Sequence, residues 1–154
     1  MGISKTLGQA FMKASIGAGN PIPFEGSVFI SVNNSDKMDI IPLARDLNEM
    51  GFSLIATTGT AKELERNGLD VEHVFKVGEG RPNIVDEIKN GHINLVINTP
   101  MGARSRFDEE AIGCACIQYG ILAITTLSGA NAILRAIRSK QKPLQLNSLQ
   151  NYHA

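Results

Sequence analysis

The sequence predicts an α/β protein with a Rossmann-like three-layer sandwich, in which the central sheet has five parallel strands. Apolar runs of strand length recur five times after residue 26, and an amphipathic helical stretch follows each of them. This alternation is typical of a parallel sheet with helices on both faces, because strand–helix–strand crossovers are almost always right-handed. A length of 154 residues is enough for one such domain.

The amino-terminal part reads as a helix followed by a linker. Apolar residues at spacings of three and four predict a helix over residues 5–15. Residues 17–26 are rich in glycine and proline, which is typical of a linker. We therefore expect residues 1–26 to be a connecting helix and linker outside the main core, and residues 27–154 to form the domain proper.

Periodicity and stop signals define the remaining elements. The predicted strands cover residues 27–32, 52–56, 73–77, 93–98 and 121–124. The predicted helices run from near Ser35 to Met50, from Thr60 to Asn67, from Pro82 to Asn90, from Asp108 to Tyr119 and from Ser128 to Lys140. A glycine directly follows each of the first four helices, and glycine is the preferred residue just past a helix end.

Charge and hydropathy narrow the choice of partners. The 15 Lys and Arg residues equal the 15 Asp and Glu residues, so no broad basic face for nucleic acid or for a membrane surface is expected. The longest apolar runs are of strand length, and the amino terminus lacks the pattern of a signal peptide. These features predict a cytoplasmic protein that contacts neither nucleic acid nor membrane.

The two cysteines, Cys114 and Cys116, are one residue apart in a predicted helix. That spacing points their side chains in different directions, which fits reduced, packed thiols in the cytosol. A metal pair is the alternative, but no further Cys or His lies at ligand spacing, so we expect no metal site.

The loop after the second strand favours an anion. Thr60 is predicted as the helix N-cap, and Glu63 three residues later completes a capping box. Gly59 lets the backbone approach a ligand closely. The hydroxyls of Thr57, Thr58 and Thr60 are then expected beside unpaired amides at the positive end of the helix, where a phosphate is stabilised. The alternative is a capped helix start that binds nothing.

Polar residues also follow the other strands, whose carboxyl ends meet at one edge of the sheet. Ligands of open parallel sheets bind at this edge, where the strand order reverses. The candidate residues at these strand ends are Lys37, Lys76, Asn98, Thr99, Arg104 and Thr125. Two lysines near three threonines predict a phosphate site with charge-assisted hydrogen bonds, although each lysine alone is more typical of a solvated surface.

Several motifs resemble a known family. They are Ser31-Val32, Ser35-Asp36-Lys37, Ala-Thr-x-Gly-Thr-Ala at residues 56–61, Lys-Val-x-Glu-Gly-Arg-Pro at residues 76–82, Ile-Asn-Thr at residues 97–99 and Thr-Thr-Leu at residues 125–127. Together they are similar to the carboxy-terminal regulatory domain of carbamoyl-phosphate synthase large chains, which has a methylglyoxal-synthase-like fold. The resemblance covers nearly the whole chain, including residues 2–14.

The resemblance implies a nucleoside monophosphate, UMP or IMP, as effector. The residues implied to hold the phosphate are Lys37, Thr57, Thr58, Gly59, Thr60 and Lys76. Those implied near the ribose or base are Ser31, Asn98, Thr99 and Arg104. Thr125 matches a threonine that reaches toward ornithine at the border with the catalytic half. Pro100 stands where many bacterial members carry a hydroxyl residue, so the choice between UMP and IMP is left open.

The resemblance also implies a parent enzyme, a ligase that makes carbamoyl phosphate from bicarbonate, glutamine-derived ammonia and ATP for pyrimidine and arginine biosynthesis. Its implied partners are the preceding domains of the large chain and a glutaminase small chain, with ATP and Mg or Mn as cofactors of the parent. The present chain is expected to need no cofactor and to catalyse nothing alone, and homo-oligomer formation is left open.

Two other functions are compatible with this fold. A methylglyoxal-synthase-type lyase needs carboxylates that abstract a proton beside the phosphate. By ungapped matching, the positions of its two key aspartates carry Arg81 and Met101 here, although Asp36 and Asp86 are nearby in sequence. The other alternative is an assembly module that binds no nucleotide.

Overall fold

A five-stranded parallel sheet forms the centre of the protein in the computed structural model, which describes residues 1–100, 102, 106–140, 147, 148, 150 and 151. The strands are β1 (Ser27–Ser31), β2 (Ser53–Thr57), β3 (Glu72–Val74), β4 (Leu95–Asn98) and β5 (Leu122–Ile124). Their order across the sheet is β3-β2-β1-β4-β5, and every neighbouring pair is parallel. The predicted fold class is therefore confirmed, and the strand order reverses between β1 and β4.

Six helices surround the sheet in the described part of the chain. They are α1 (Leu7–Gly17), α2 (Lys37–Glu49), α3 (Thr58–Arg66), α4 (Ile84–Lys89), α5 (Arg106–Tyr119) and α6 (Leu127–Ser139), and a 3₁₀ turn over Asn34–Asp36 precedes α2. Among these helices, none has both the length and the apolar character needed to cross a membrane.

Alternating side chains divide the core into two layers. Val28 and Ile30 of β1 belong to the cluster packed by α2, α3 and α6, whereas Phe29 belongs to the cluster packed by α4 and α5. Successive residues of a strand point to opposite faces, so a strand buried on both faces is apolar throughout. The helices therefore form the two outer layers of the sandwich.

Helix α1 is part of the main core, so the prediction that it lies outside the core is wrong. Met12 is only 5% exposed and belongs to the same apolar cluster as Ile133 of α6. The two helices approach closely at Gly8, where an added Cβ would lie 2.3 Å from the carbonyl oxygen of Arg135. The domain boundary after residue 26 stays a prediction.

Three predicted helix starts differ from the observed ones. Asn83 is the N-cap of α4 and forms a capping box with Asp86, so Pro82 precedes that helix instead of opening it. Thr126 is the N-cap of α6, because its hydroxyl accepts a hydrogen bond from the Gly129 amide at 3.1 Å. Asp108 lies in the first turn of α5, which begins at Arg106. For α4 and α6 the capping side chain fixes where the helix begins.

The two cysteines point in different directions, as predicted: Cys114 is exposed and Cys116 is buried, and both are free thiols. Burial raises the pKa of Cys116 from 9.0 to about 11. Because the thiolate is the reactive form of cysteine, Cys116 is expected to be inert in the folded protein.

We therefore expect a chromogenic disulfide reagent to modify one thiol per native chain at about pH 8, and two thiols after unfolding. The variant Cys114→Ser should show no rapid reaction until it is unfolded. Rapid modification of that variant in the native state would mean that Cys116 is accessible, contrary to the structure.

Candidate ligand site at the switch point of the sheet

A recess lies at the carboxyl ends of β1, β2 and β4. Ser31 of β1 is in register with Asn98 of β4, so the recess adjoins the point where the strand order reverses. Connections leave neighbouring strands in opposite directions there, which opens a crevice. The recess is open to solvent, and its space is about 310 Å³ when the adjoining solvent is included. The described residues that line it are Ser31, Thr57, Lys76, Ile84, Asn98, Asp108, Glu109 and Ile112.

A pair of buried hydroxyls forms the base of the recess. Ser31 and Thr57 are 4% and 2% exposed, and their hydroxyl oxygens are 3.3 Å apart. One hydrogen bond between two hydroxyls uses only one of their two protons. The second O–H is therefore available to donate to an acceptor in the recess.

Helix α3 begins directly after β2 and points its amino terminus at the same edge of the sheet. Thr57 has extended backbone angles, φ −70° and ψ 151°, and occupies the N-cap position without a side-chain cap. The first four amides of a helix have no partner within the helix, and they give that end a partial positive charge. The start of α3 is thus suited to an anion.

The prediction that Thr60 caps α3 is wrong. No loop separates β2 from α3, so Thr60 falls within the first helical turn. It is 1% exposed, and its hydroxyl oxygen accepts a hydrogen bond from the Val32 amide at 3.3 Å. Thr60 therefore ties α3 to the end of β1, and Glu63 forms an ion pair with Arg66 at 3.4 Å instead of completing a capping box.

Lys37, the first residue of α2, extends over the start of α3. Its Nζ atom lies 3.5 Å from the position that a Cβ on Gly59 would occupy. Thr58 and Gly59 are exposed at this point. An ammonium group and a helix amino terminus are both positive, so an anion bound between them is stabilised by both.

The remaining lining combines charge of both signs with apolar side chains. Lys76, which follows β3, contributes a second ammonium group, and Asp108 and Glu109 contribute carboxylates from the first turn of α5. Ile84 and Ile112 are 0% and 6% exposed and supply apolar surface. Such a recess can take a ligand with an anionic group, hydroxyl donors and an apolar portion.

Both the sequence and the fold of this chain are similar to those of known proteins. Residues 39–125 match the family model described as MGS-like domain. The chain belongs to the MGS-like domain family. Its fold is similar to that of a methylglyoxal synthase from Elizabethkingia anophelis NUHP1, with a TM-score of 0.60 at 17% identity over 86% of this chain and 92% of that one. At that identity the likeness shows the fold alone.

Curated relatives of this MGS-like domain are much longer proteins. Carbamoyl phosphate synthase large chains from Archaeoglobus fulgidus and Acidobacterium capsulatum are 45% and 46% identical over 99% and 100% of this chain. The chain spans 14% of the length of each of these two relatives. A relative from Methanopyrus kandleri, named a C-terminal section of the large chain, is 46% identical over 99% of this chain and 29% of its own length. The resemblance predicted from the motifs is thereby confirmed.

The structure brings most of the predicted site residues together. Ser31, Thr57, Lys76 and Asn98 line the recess, and Lys37 lies over Gly59 beside it. Of the other predicted residues, Thr58 and Gly59 are exposed at the start of α3, and the Thr60 hydroxyl is held by the Val32 amide. A further three are not among the described residues that line the recess. Thr99 is 2% exposed, and its hydroxyl accepts from the Asn33 amide at 3.0 Å. Thr125 is exposed beyond the edge strand β5, and Arg104 lies outside the described residues.

Sequence reasoning missed Asp108, Glu109, Ile84 and Ile112 as lining residues. The acidic pair at the start of α5 is a local signal, but acidic residues are also typical of the first turn of any helix. The apolar pair belongs to α4 and α5, and only the packing of these helices on one face of the sheet brings them to the recess.

The carboxylates noted for the lyase alternative are used at helix starts. Asp36 accepts a hydrogen bond from the Asn33 side chain at 2.8 Å, and Asp86 accepts from the Asn83 amide at 3.0 Å. Neither is among the described residues that line the recess. These two aspartates therefore do not support proton abstraction in the MGS-like domain.

Proposed function

We propose that this MGS-like domain binds a nucleoside monophosphate, UMP or IMP, and regulates a carbamoyl phosphate synthase large chain of which it is a part. The observation that carries the proposal is the position of the Lys37 ammonium over the first turn of α3, beside the buried hydroxyls of Ser31 and Thr57. A cation, a helix amino terminus and a free O–H at one place match the acceptor oxygens of a phosphate.

The other lining residues suit the nucleoside. Lys76 provides a second cation for the phosphate, and Asn98 offers both a donor and an acceptor to the ribose or base. Asp108 and Glu109 offer acceptors to ribose hydroxyls, as acidic residues do in other nucleotide sites at switch points. The apolar surface is suited to a base.

The parent protein in this proposal makes carbamoyl phosphate from bicarbonate, glutamine-derived ammonia and ATP in the cytoplasm, for pyrimidine and arginine biosynthesis. It uses ATP with Mg or Mn and works with a glutaminase small chain. The name of the curated relatives, carbamoyl phosphate synthase large chain, supports the product and the large chain in this assignment. The chain studied here catalyses nothing alone, because the ATP-dependent steps belong to the preceding domains.

Regulation requires that the nucleotide favour one of two arrangements of the domain against its neighbour. Thr125 is suited to that border, because it is exposed at the end of β5 and β5 adjoins β4, which ends at Asn98. A nucleotide that binds both arrangements equally would not alter activity of the parent.

A thermal-shift titration tests the binding proposal. UMP or IMP at about one hundred times its Kd should stabilise the chain by about 2.7 kcal/mol, which raises Tm by roughly 5–10 °C. Uridine and inosine serve as matched controls without the phosphate and should shift Tm little. Equal shifts for nucleoside and nucleotide would exclude the phosphate site, and no shift with either would favour an assembly module.

The lyase alternative is favoured by one observation, the two carboxylates of Asp108 and Glu109 in the recess. Methylglyoxal formation from dihydroxyacetone phosphate tests it directly. We expect none, and turnover that is lost in Asp108→Asn would replace the regulatory proposal with an enzymatic one.

A further inference from the structure

Asn33 connects the loops that follow β1 and β4. Its side-chain nitrogen donates to the carboxylate of Asp36 at 2.8 Å and to the carbonyl oxygen of Pro100 at 3.3 Å. Its backbone amide donates to the Thr99 hydroxyl at 3.0 Å. We call these contacts of Asn33 with Asp36, Thr99 and Pro100 the Asn33 bridge. Because β1 and β4 are the two strands at the switch point, the bridge joins the loops that leave the sheet on either side of that point.

On the β1 side, Asn33 determines where α2 begins. Its side-chain oxygen accepts hydrogen bonds from the Asp36 amide at 3.0 Å and from the Ser35 hydroxyl at 2.6 Å, which caps the 3₁₀ turn. Lys37 follows this turn directly as the first residue of α2. The cap therefore sets the position from which the Lys37 ammonium reaches Gly59.

On the β4 side, the bridge holds the residues that follow Asn98. The Thr99 amide donates to the Ser31 carbonyl at 3.0 Å, which continues the β1–β4 pairing by one residue. The Asn33 side chain then holds the next carbonyl, that of Pro100. Asn33 is thus bonded both to the turn that carries Lys37 and to the chain that carries Asn98.

We propose that Asn33 is a positioning residue that fixes the separation between Lys37 and Asn98, so that one nucleoside monophosphate is held at its phosphate and at its nucleoside portion together. This inference rests on the proposed function and names the residue that makes the site specific for a whole nucleotide. Inorganic phosphate needs only the cationic part of the site, so its binding does not depend on that separation. A nucleotide contacts Lys37 with its phosphate and Asn98 with its nucleoside portion, so its binding depends on the separation between these two residues.

Two variants distinguish the capping role of the Asn33 side-chain oxygen from the hydrogen bond of its side-chain nitrogen to Pro100. Asn33→Ser keeps a side-chain oxygen that can cap the turn but removes the donor to Pro100, and Asn33→Ala removes both. We expect both variants to bind UMP or IMP roughly tenfold more weakly, since each loses at least the hydrogen bonds of the side-chain nitrogen. Inorganic phosphate should bind Asn33→Ser within about twofold of the unmodified chain, because the cap that positions Lys37 is kept, whereas Asn33→Ala loses that cap and should bind phosphate more weakly as well. Asn34→Ala is the matched control, because Asn34 is an exposed neighbour in the same turn, and it should change neither affinity.

The Kd values for nucleotide and for inorganic phosphate, and the urea midpoint of unfolding, should be measured for all four chains. Asn33→Ser should recover the urea midpoint that Asn33→Ala loses, without recovering nucleotide affinity. Nucleotide affinity that returns in Asn33→Ser would overturn the positioning role of the bridge. Equal losses for nucleotide and phosphate in Asn33→Ser would also overturn it, because the loss would then not depend on the separation between Lys37 and Asn98. If the unmodified chain binds no nucleotide, the proposed function fails first and the role of Asn33 fails with it.

Discussion

Replacing Gly59 with alanine is expected to weaken nucleotide binding at least tenfold without destabilising the fold. Gly59 is the second residue of α3, and it is not among the glycines with positive φ. The added Cβ would lie 3.5 Å from the Nζ atom of Lys37, which is an ordinary contact distance. Alanine is also the better helix former by up to about 1 kcal/mol. The methyl group nevertheless occupies the space between the ammonium group and the helix amides, where the proposed phosphate binds.

Gly113→Ala is the matched control for this variant. Gly113 lies within α5, and no described atom outside its chain neighbours and its own helix backbone is within 4 Å of the place that its Cβ would occupy. This control should gain similar stability from helix propensity and leave the affinity for UMP or IMP unchanged. Unfolding in urea and a binding titration on both variants distinguish the two effects. If Gly59→Ala binds the nucleotide as tightly as the unmodified chain, the phosphate does not lie between Lys37 and α3.

Replacing Gly8 with alanine is expected to lower the free energy of unfolding by about 1–3 kcal/mol. The added Cβ would lie 2.3 Å from the carbonyl oxygen and 2.8 Å from the carbonyl carbon of Arg135. Both atoms belong to the backbone of α6, so the clash is relieved only if α1 and α6 move apart. That movement would open the apolar contacts of Met12. A fall in Tm of roughly 2–4 °C per kcal/mol is expected for a domain of this size.

Gly17→Ala is the corresponding control, because Gly17 is the last residue of α1 and its added Cβ would have no described atom of another element within 4 Å. It should leave stability unchanged or raise it slightly. Equal stability of Gly8→Ala and Gly17→Ala would mean that α1 does not pack on α6 in solution. That outcome would restore the expectation, drawn from the sequence, that the helix lies outside the main core.

Much of the site could be predicted because strand ends converge in a parallel sheet. Ser31, Thr57 and Asn98 reach the recess because each is the last residue of its strand. Thr99 could have been separated from Asn98 on the same grounds, since neighbouring residues of a strand point to opposite faces. The role of Thr60 could not be predicted in this way, because its hydroxyl accepts a hydrogen bond from the Val32 amide, and Val32 is far away in the sequence.

The sequence by itself determined the number of the strands, their alternation with helices, the apolar faces of the sheet and the glycines that end the helices. These features depend on periodicity and backbone preference within short segments of chain. Only the tertiary structure decided that α1 packs on α6, that Asn33 bonds to Pro100, and that Asp108 faces the same recess as Lys76. Each of these depends on contacts between segments that are distant in sequence, and local sequence patterns do not predict such contacts.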